Sequence, residues 1–280
     1  MRFLTKIREH ILSLADLRAS AGLSWAVRWK VLRLADRFAV RLGLPEPAEW
    51  RLHPRQVAHP LKVRLRGSSD LLCFAQIFNF QEYSCLHDLK EPSVVLDLGA
   101  NVGFSSAYFL NVFPKSRVVA VEPDEQNFAI CRANLVPYGD RVLLLHGAAW
   151  ARSTKLRVLK GGDHREWATQ VCELINGDDI SEEVQAWDVE SLIEMAGGGA
   201  VDLLKVDIER AELIVFGESA RYWLHKVKNI CIELHGKDCE EVFFAALNNF
   251  DYDLSHSGEL TICRNLRPNG RMRPFGKGDV

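Results

Sequence analysis

What the sequence lacks narrows it first. Its seven cysteines, Cys73, Cys85, Cys131, Cys172, Cys231, Cys239 and Cys263, are odd in number and scattered, with no C-x-x-C pair. That pattern builds neither a disulfide framework nor a zinc site, so reduced, mostly packed thiols are expected. No run approaches the roughly 18 apolar residues of a membrane span. Glu9, Asp16 and several arginines interrupt the stretch where a cleavable signal would need its apolar core, so a cytoplasmic protein is expected. Net charge is nearly absent, at −2, but the total hides an asymmetry. Residues 1–66 hold 14 of the 35 Lys and Arg and 5 of the 37 Asp and Glu, an excess of +9 that leaves −11 on the remainder. An acidic body repels a polyanion, so nucleic acid is not an expected partner.

What remains is a chain of 280 residues, 48% hydrophobic, enough for one large α/β domain with an appendage. Leu4, Ile7, Ile11 and Leu14, and again Val31, Leu34, Phe38 and Leu42, recur at helical spacing, which predicts two basic amphipathic helices over 2–42. Gly43, Pro45 and Pro47 stop the second. Residues 1–60 are therefore expected to form a helical extension, able to serve as a lid, a dimer contact or a peripheral membrane surface. Beyond a helical segment over 71–83, strands alternate with helices: strand 94–98, helix 104–112, strand 117–121, helix 125–135 and strand 142–149. A hairpin insertion over 154–174 interrupts the rhythm. It resumes with a helix over 188–196, strand 202–207, a helix from about 211, strand 229–234 and a helix over 239–248. This alternation predicts a parallel sheet. A hairpin over 252–255 and 259–263 closes the body at about 266, and a Gly-, Pro- and Arg-rich tail follows over 267–280, expected to be disordered.

The chemistry concentrates at "VLDLGANVGFSSAYF", residues 95–109, a strand that breaks at a glycine turn and restarts as a helix. The dinucleotide pattern G-x-G-x-x-G would need a middle glycine, and Asn101 stands there instead, between Gly99–Ala100 and Gly103. A side chain at that place argues against a pyrophosphate. Asp97, just before the turn, would repel a phosphate but could hold an ammonium group, directly or through water. Glu122, at the end of the next strand, is placed to accept from both hydroxyls of a ribose. Ammonium, ribose and no phosphate describe S-adenosylmethionine. Gly147 and Ala148, after the third strand, leave space for an adenine ring or else pack as a turn.

Several stretches resemble the FkbM-type class I methyltransferases: "SSDLLCFAQIF" followed by Glu82 and Tyr83, "DLGANVGFSS", "VEPDEQNF", "LLKVDIERAEL" and "CIELH". The resemblance covers about Leu65 to Leu266, within an expected domain over 61–266. It implies a Rossmann-like α/β fold, a seven-stranded, mostly parallel sheet with an antiparallel last strand, and methyl transfer from S-adenosylmethionine to a hydroxyl of a sugar, a glycan or a secondary metabolite. In that context His235 is the leading general base, since imidazole titrates near neutrality. Asp207 and Glu209 orient it or take the proton themselves. Glu212 lies three residues beyond Glu209, on the same face if a helix has begun, and Glu212, Glu233 and Arg210 are expected on the acceptor side, with Tyr83 folding over the site. Arg210 stands where the family usually has glycine. Asp207, Glu209, Glu233 and His235 could alternatively hold a divalent cation such as magnesium, although no compact metal-binding spacing requires one. Two rivals stay open: a non-catalytic module that keeps the cofactor site and contacts a partner, and an NAD-dependent oxidoreductase.

Overall fold

The computed structural model describes residues 50–65, 68–159, 170–173, 183–217 and 219–270, with Leu34 and Arg41. It divides into two compact units, Met1–Leu89 and Lys90–Val280. Of the helices expected over 2–42, only Leu34 and Arg41 fall among the described residues, both helical and exposed. The tail beyond residue 270 lies outside them. No helix among the described residues is long and apolar enough to cross a membrane.

In the first unit, β1 (Trp50–Leu52) pairs antiparallel with β2 (Leu61–Val63). Helix α1 (Asp70–Phe74) continues as a wider π turn over Ala75–Asn79, and a 3-10 turn follows at Glu82–Leu86. The fully buried Asp70 is answered by Arg64, whose Nη2 lies 2.8 Å from Oδ1 and whose backbone N–H donates to Oδ2 at 2.7 Å. Tyr83 is buried within the 3-10 turn.

The second unit is built on β3 (Val94–Leu98), β4 (Arg117–Glu122), β5 (Val142–His146), β10 (Leu203–Val206), β11 (Ile230–Glu233), β12 (Phe250–Ser257) and β13 (Leu260–Pro268). Their order across the sheet is β12-β13-β11-β10-β3-β4-β5. All pairings among β5, β4, β3, β10 and β11 are parallel, and β13 runs antiparallel to both neighbours. The seven-stranded α/β sheet with its last strand reversed is thus the observed one. Short apolar, β-branched runs such as VVLDL and RVVAVE produce it, because strands covered on both faces need no polar alternation. All four residues of β10 are buried.

Helix α2 (Phe104–Val112) follows β3, and α3 (Glu125–Leu135) follows β4, its first turn capped by Asp124, which accepts from the Asn127 N–H at 2.8 Å. Helices α4 (Val189–Met195), α5 (Glu212–Val215), α6 (Ala220–Trp223) and α7 (Lys237–Ala246) complete the unit. Leu96, Leu98, Val119, Val206 and Ile232 of the sheet pack in one core with Leu192 of α4, Trp223 of α6 and Phe243 of α7. Phe216 lies edge-on to both Trp223 (5.5 Å) and Phe243 (4.9 Å). Truncating the fully enclosed Trp223 to alanine would cost about 3–5 kcal/mol.

Three features depart from the sequence expectation. The single strand expected over 142–149 splits at Gly147, because β6 (Ala148–Trp150) leaves for a second sheet. That sheet has the order β6-β9-β7-β8, and the expected hairpin is its pair β7 (Thr154–Leu159) and β8 (Gln170–Glu173), extended by β9 (Glu183–Asp188). Strand β13 runs on to Pro268, so Arg267 and Pro268 belong to it rather than to a tail.

Candidate functional site

The strand order reverses between β3 and β10, and in open α/β sheets the crevice beyond the strand ends at such a point takes the ligand. Gly99 and Asp207 meet there. Gly99 has φ +80°, and a Cβ on it would stand 1.8 Å from the Asp207 carbonyl oxygen, so only glycine lets the two rims touch. The N–H groups of Gly99 and Ala100 both donate to the Val121 carbonyl, at 3.0 and 2.9 Å. Asn101 sits in the left-handed region at φ +50°, which asparagine tolerates better than most residues. Gly103, also left-handed, is the N-cap of α2.

The turn is tied to Glu122. The Asn101 N–H donates to Glu122 Oε2 at 2.8 Å, while the Asp124 N–H and the Asn127 amide reach Oε1 at 3.0 and 3.3 Å. Burial raises the Glu122 pKa to about 7 from 4.5, although these hydrogen bonds pull it the other way.

Asp97 is fully enclosed. Its Oδ2 accepts from the Ser105 and Ser106 hydroxyls, each at 2.6 Å, and its Oδ1 lies 3.1 Å from Lys205 Nζ. Expected to meet an ammonium directly or through water, Asp97 meets that of Lys205. A Cβ at Gly147 would fall 2.2 Å from the Trp187 ring and 2.4 Å from the Gln185 carbonyl, so the indole packs closely on that glycine, while Ala148 opens β6.

A second group surrounds His235, just past the end of β11. Its Nε2 lies 3.8 Å from Asp207, 3.7 Å from Glu209 and 3.9 Å from Glu233. Its Nδ1 meets Glu212 Oε1 at 3.0 Å. Glu212 is wholly buried, so it faces the imidazole rather than an acceptor as its spacing from Glu209 suggested. The reason lies in the turn, where Glu209 (φ +47°) and Arg210 (φ +77°) are both left-handed and redirect the chain into α5. Burial opposes a charge on His235, yet the hydrogen bond to Glu212 and the charges of Asp207, Glu212 and Glu209 outweigh it and lift the pKa to about 9. Asp207, Glu233 and His235 each offer a ligand atom within 4.8 Å of the others, the one such group of three among the described residues.

Arg210 donates to the His235 carbonyl at 2.9 Å and to the Asp238 carboxylate. Its left-handed backbone explains why glycine suits the position, and its guanidinium is engaged with the chain itself. Tyr83 belongs to the first unit. Lys205 is the residue that sequence reasoning passed over. Its signal was a lone cation inside LLKV, a strand apolar on either side.

The methyltransferase FkbM domain profile matches residues 97–254. Among curated proteins the chain is similar to 2-O-methyltransferase NoeI of Sinorhizobium fredii, 28% identical over 136 residues, 44% of this chain and 56% of NoeI. It is also similar to the AMB antimetabolite synthetase AmbE of Pseudomonas aeruginosa, 27% identical over 183 residues, 53% of this chain and 9% of AmbE. The chain therefore spans about half of the first relative and a small part of the second. Among solved structures, a methyltransferase from Geobacter sulfurreducens aligns at 13% identity over 96% of this chain and 97% of that one, with a TM-score of 0.42. M. capricolum TrmK in complex with S-adenosyl-homocysteine aligns at 10% identity over 70% and 72%, with a TM-score of 0.39. With more than half of its length matched, the chain belongs to the FkbM methyltransferase family.

Proposed function

We propose that the protein is an O-methyltransferase that moves a methyl group from S-adenosylmethionine to a hydroxyl of a glycan or a secondary metabolite. The observation that carries the reading is His235, an imidazole with Nδ1 anchored on a buried carboxylate and Nε2 turned toward Asp207, Glu209 and Glu233 at the cofactor rim. The similarity to NoeI, a 2-O-methyltransferase, supports oxygen as the acceptor atom.

The donor set at the turn suits the cofactor. The cation nearest the turn, Lys205, is committed to Asp97 and the Gly99 carbonyl, an arrangement poorly suited to a phosphate. Glu122 Oε2 accepts from Asn101 and keeps a lone pair for a ribose hydroxyl. When bound, S-adenosylmethionine supplies a methyl carbon already activated by positive sulfur. The chain's own work is alignment and proton handling. In transfer the acceptor oxygen would take that methyl as the carbon–sulfur bond opens, and the hydroxyl proton would pass to the carboxylate of Asp207, Glu209 or Glu233, or to His235 Nε2 only as pH rises through about 9 and the ring becomes neutral. Glu212 holds the ring so that Nε2 faces the acceptor, and the acidic surround keeps the ring as imidazolium below about pH 9, a donor that would hold the carboxylates and the acceptor oxygen in place.

The test is incubation of the full chain with methyl-labelled S-adenosylmethionine and a panel of oligosaccharides, monosaccharides and phenolic metabolites, with the labelled atom identified by NMR. Label on oxygen, abolished in His235→Gln, is the expected result. Label on nitrogen or carbon would retire the oxygen assignment, and cofactor binding without transfer across the panel would favour the non-catalytic module. A second reading rests on the spacing of Asp207, Glu233 and His235, which suits magnesium bound beside the acceptor hydroxyl. Turnover lost in EDTA and restored by magnesium would favour it, and turnover indifferent to EDTA would remove it.

A further inference from the structure

Lys205 lies in the middle of β10, register partner of Asp97 on β3 and of Cys231 on β11, and it is 3% exposed. An apolar residue would suit this strand, whose other members are Leu203, Leu204 and Val206. Replacing a buried ion pair by apolar side chains is often neutral or favourable for stability, so stability alone gives a weak account of a buried lysine here.

Its contacts suggest another. Nζ donates to the Gly99 carbonyl at 2.6 Å, pairs with Asp97 Oδ1 at 3.1 Å and lies 3.8 Å from Asp207 Oδ2. From the opposite side, β4 holds the N–H groups of Gly99 and Ala100 through the Val121 carbonyl. The turn is thus pinned on one side by β4 and on the other by an ammonium. The same ammonium faces Asp207, whose other oxygen, Oδ1, is 3.8 Å from His235 Nε2. Lys205 joins the cofactor turn to the group at the acceptor pole.

We propose that Lys205, acting with Asp97, is a positioning residue: its ammonium sets the Gly99 peptide and the Asp207 carboxylate where the amino-acid end of S-adenosylmethionine is read. This rests on the cofactor reading above. Because the pair contacts Gly99 and Asp207 while Glu122 makes its bonds to Asn101, Asp124 and Asn127, Lys205 governs the amino-acid arm and not the nucleoside.

The experiment is calorimetric titration of the full chain with S-adenosylhomocysteine and with 5′-methylthioadenosine, which keeps adenine and ribose but lacks the amino-acid arm. Wild type, Asp97→Asn, Lys205→Met and the double variant are compared, with thermal melts alongside. In the double variant two neutral side chains replace the pair, so it should fold and melt close to wild type. S-adenosylhomocysteine should bind at least about tenfold more weakly in all three variants, without additivity, because the pair acts as one unit. Methylthioadenosine should change by less than about threefold. Wild-type affinity for S-adenosylhomocysteine in the double variant would overturn the proposal, as would parallel loss of both ligands or failure of the double variant to fold. Wild type that binds neither nucleoside would instead refute the cofactor reading itself.

Discussion

Glu122→Gln separates the cost of a buried carboxylate from the hydrogen bonds it accepts. Burial raises the Glu122 pKa to about 7 from an ordinary 4.5. Below pH 4.5 the carboxyl is protonated in folded and unfolded chains alike. Between 4.5 and about 7 the unfolded chain has released its proton while the folded chain keeps it, so stability falls as pH rises. The loss is about 1.4 kcal/mol per pH unit, about 3 kcal/mol in all, and it persists above the folded-state value. Glutamine lacks this penalty. Its amide places a donor against the Asn101 or the Asp124 N–H, a mismatch that costs about 1–3 kcal/mol at every pH. Urea unfolding of both proteins from about pH 5 to about pH 8.5 isolates the charge effect. The stability of the Glu122→Gln variant minus that of wild type should climb by about 2.5 kcal/mol across the series. A difference that stays level would refute the reasoning. Ribose hydroxyls donate to the ionised form, so S-adenosylhomocysteine should also bind wild type more weakly as pH drops below about 7, and Glu122→Gln should lose that dependence.

Three further outcomes follow from the same geometry. Gly99→Ala forces a Cβ to 1.8 Å from the Asp207 carbonyl at a left-handed φ, so it should lose about 3 kcal/mol or more in chemical denaturation; unchanged stability would contradict the observed contact of the two rims. Arg210→Ala and Arg210→Gly remove the same exposed hydrogen bonds, but only glycine relieves φ +77°, so the glycine variant should be the more stable by about 1 kcal/mol, and an alanine variant equally stable would count against strain at that turn. His235 should titrate near 9 by NMR in the ligand-free protein and fall back toward 6.5 in Glu212→Gln. The stability it contributes is complete below pH 6.5 and lost as pH rises through about 9, and a wild-type value near 6.5 would contradict the acidic surround.

The parallel core was legible because VVLDL, RVVAVE and LLKV are compact apolar runs between helical segments, the pattern a doubly covered sheet imposes. The second sheet was not, since β6 and β8 are only three and four residues long and β9 pairs with strands distant in sequence. Glu122 could be placed from its strand end alone. The partners of Asp97 could not, because a lysine within a strand gives no sign in sequence of which neighbouring carboxylate it meets until the β10–β3 register is known. Glu212 was assigned by helical spacing from Glu209, and the two consecutive left-handed residues, Glu209 and Arg210, broke that spacing.

The most direct test of the account is calorimetric titration of wild type with S-adenosylhomocysteine, with NADH as the control ligand. S-adenosylhomocysteine should bind with micromolar affinity, more weakly in Glu122→Gln, and NADH should give no heat. No heat from S-adenosylhomocysteine, or a signal from NADH alone, would contradict it.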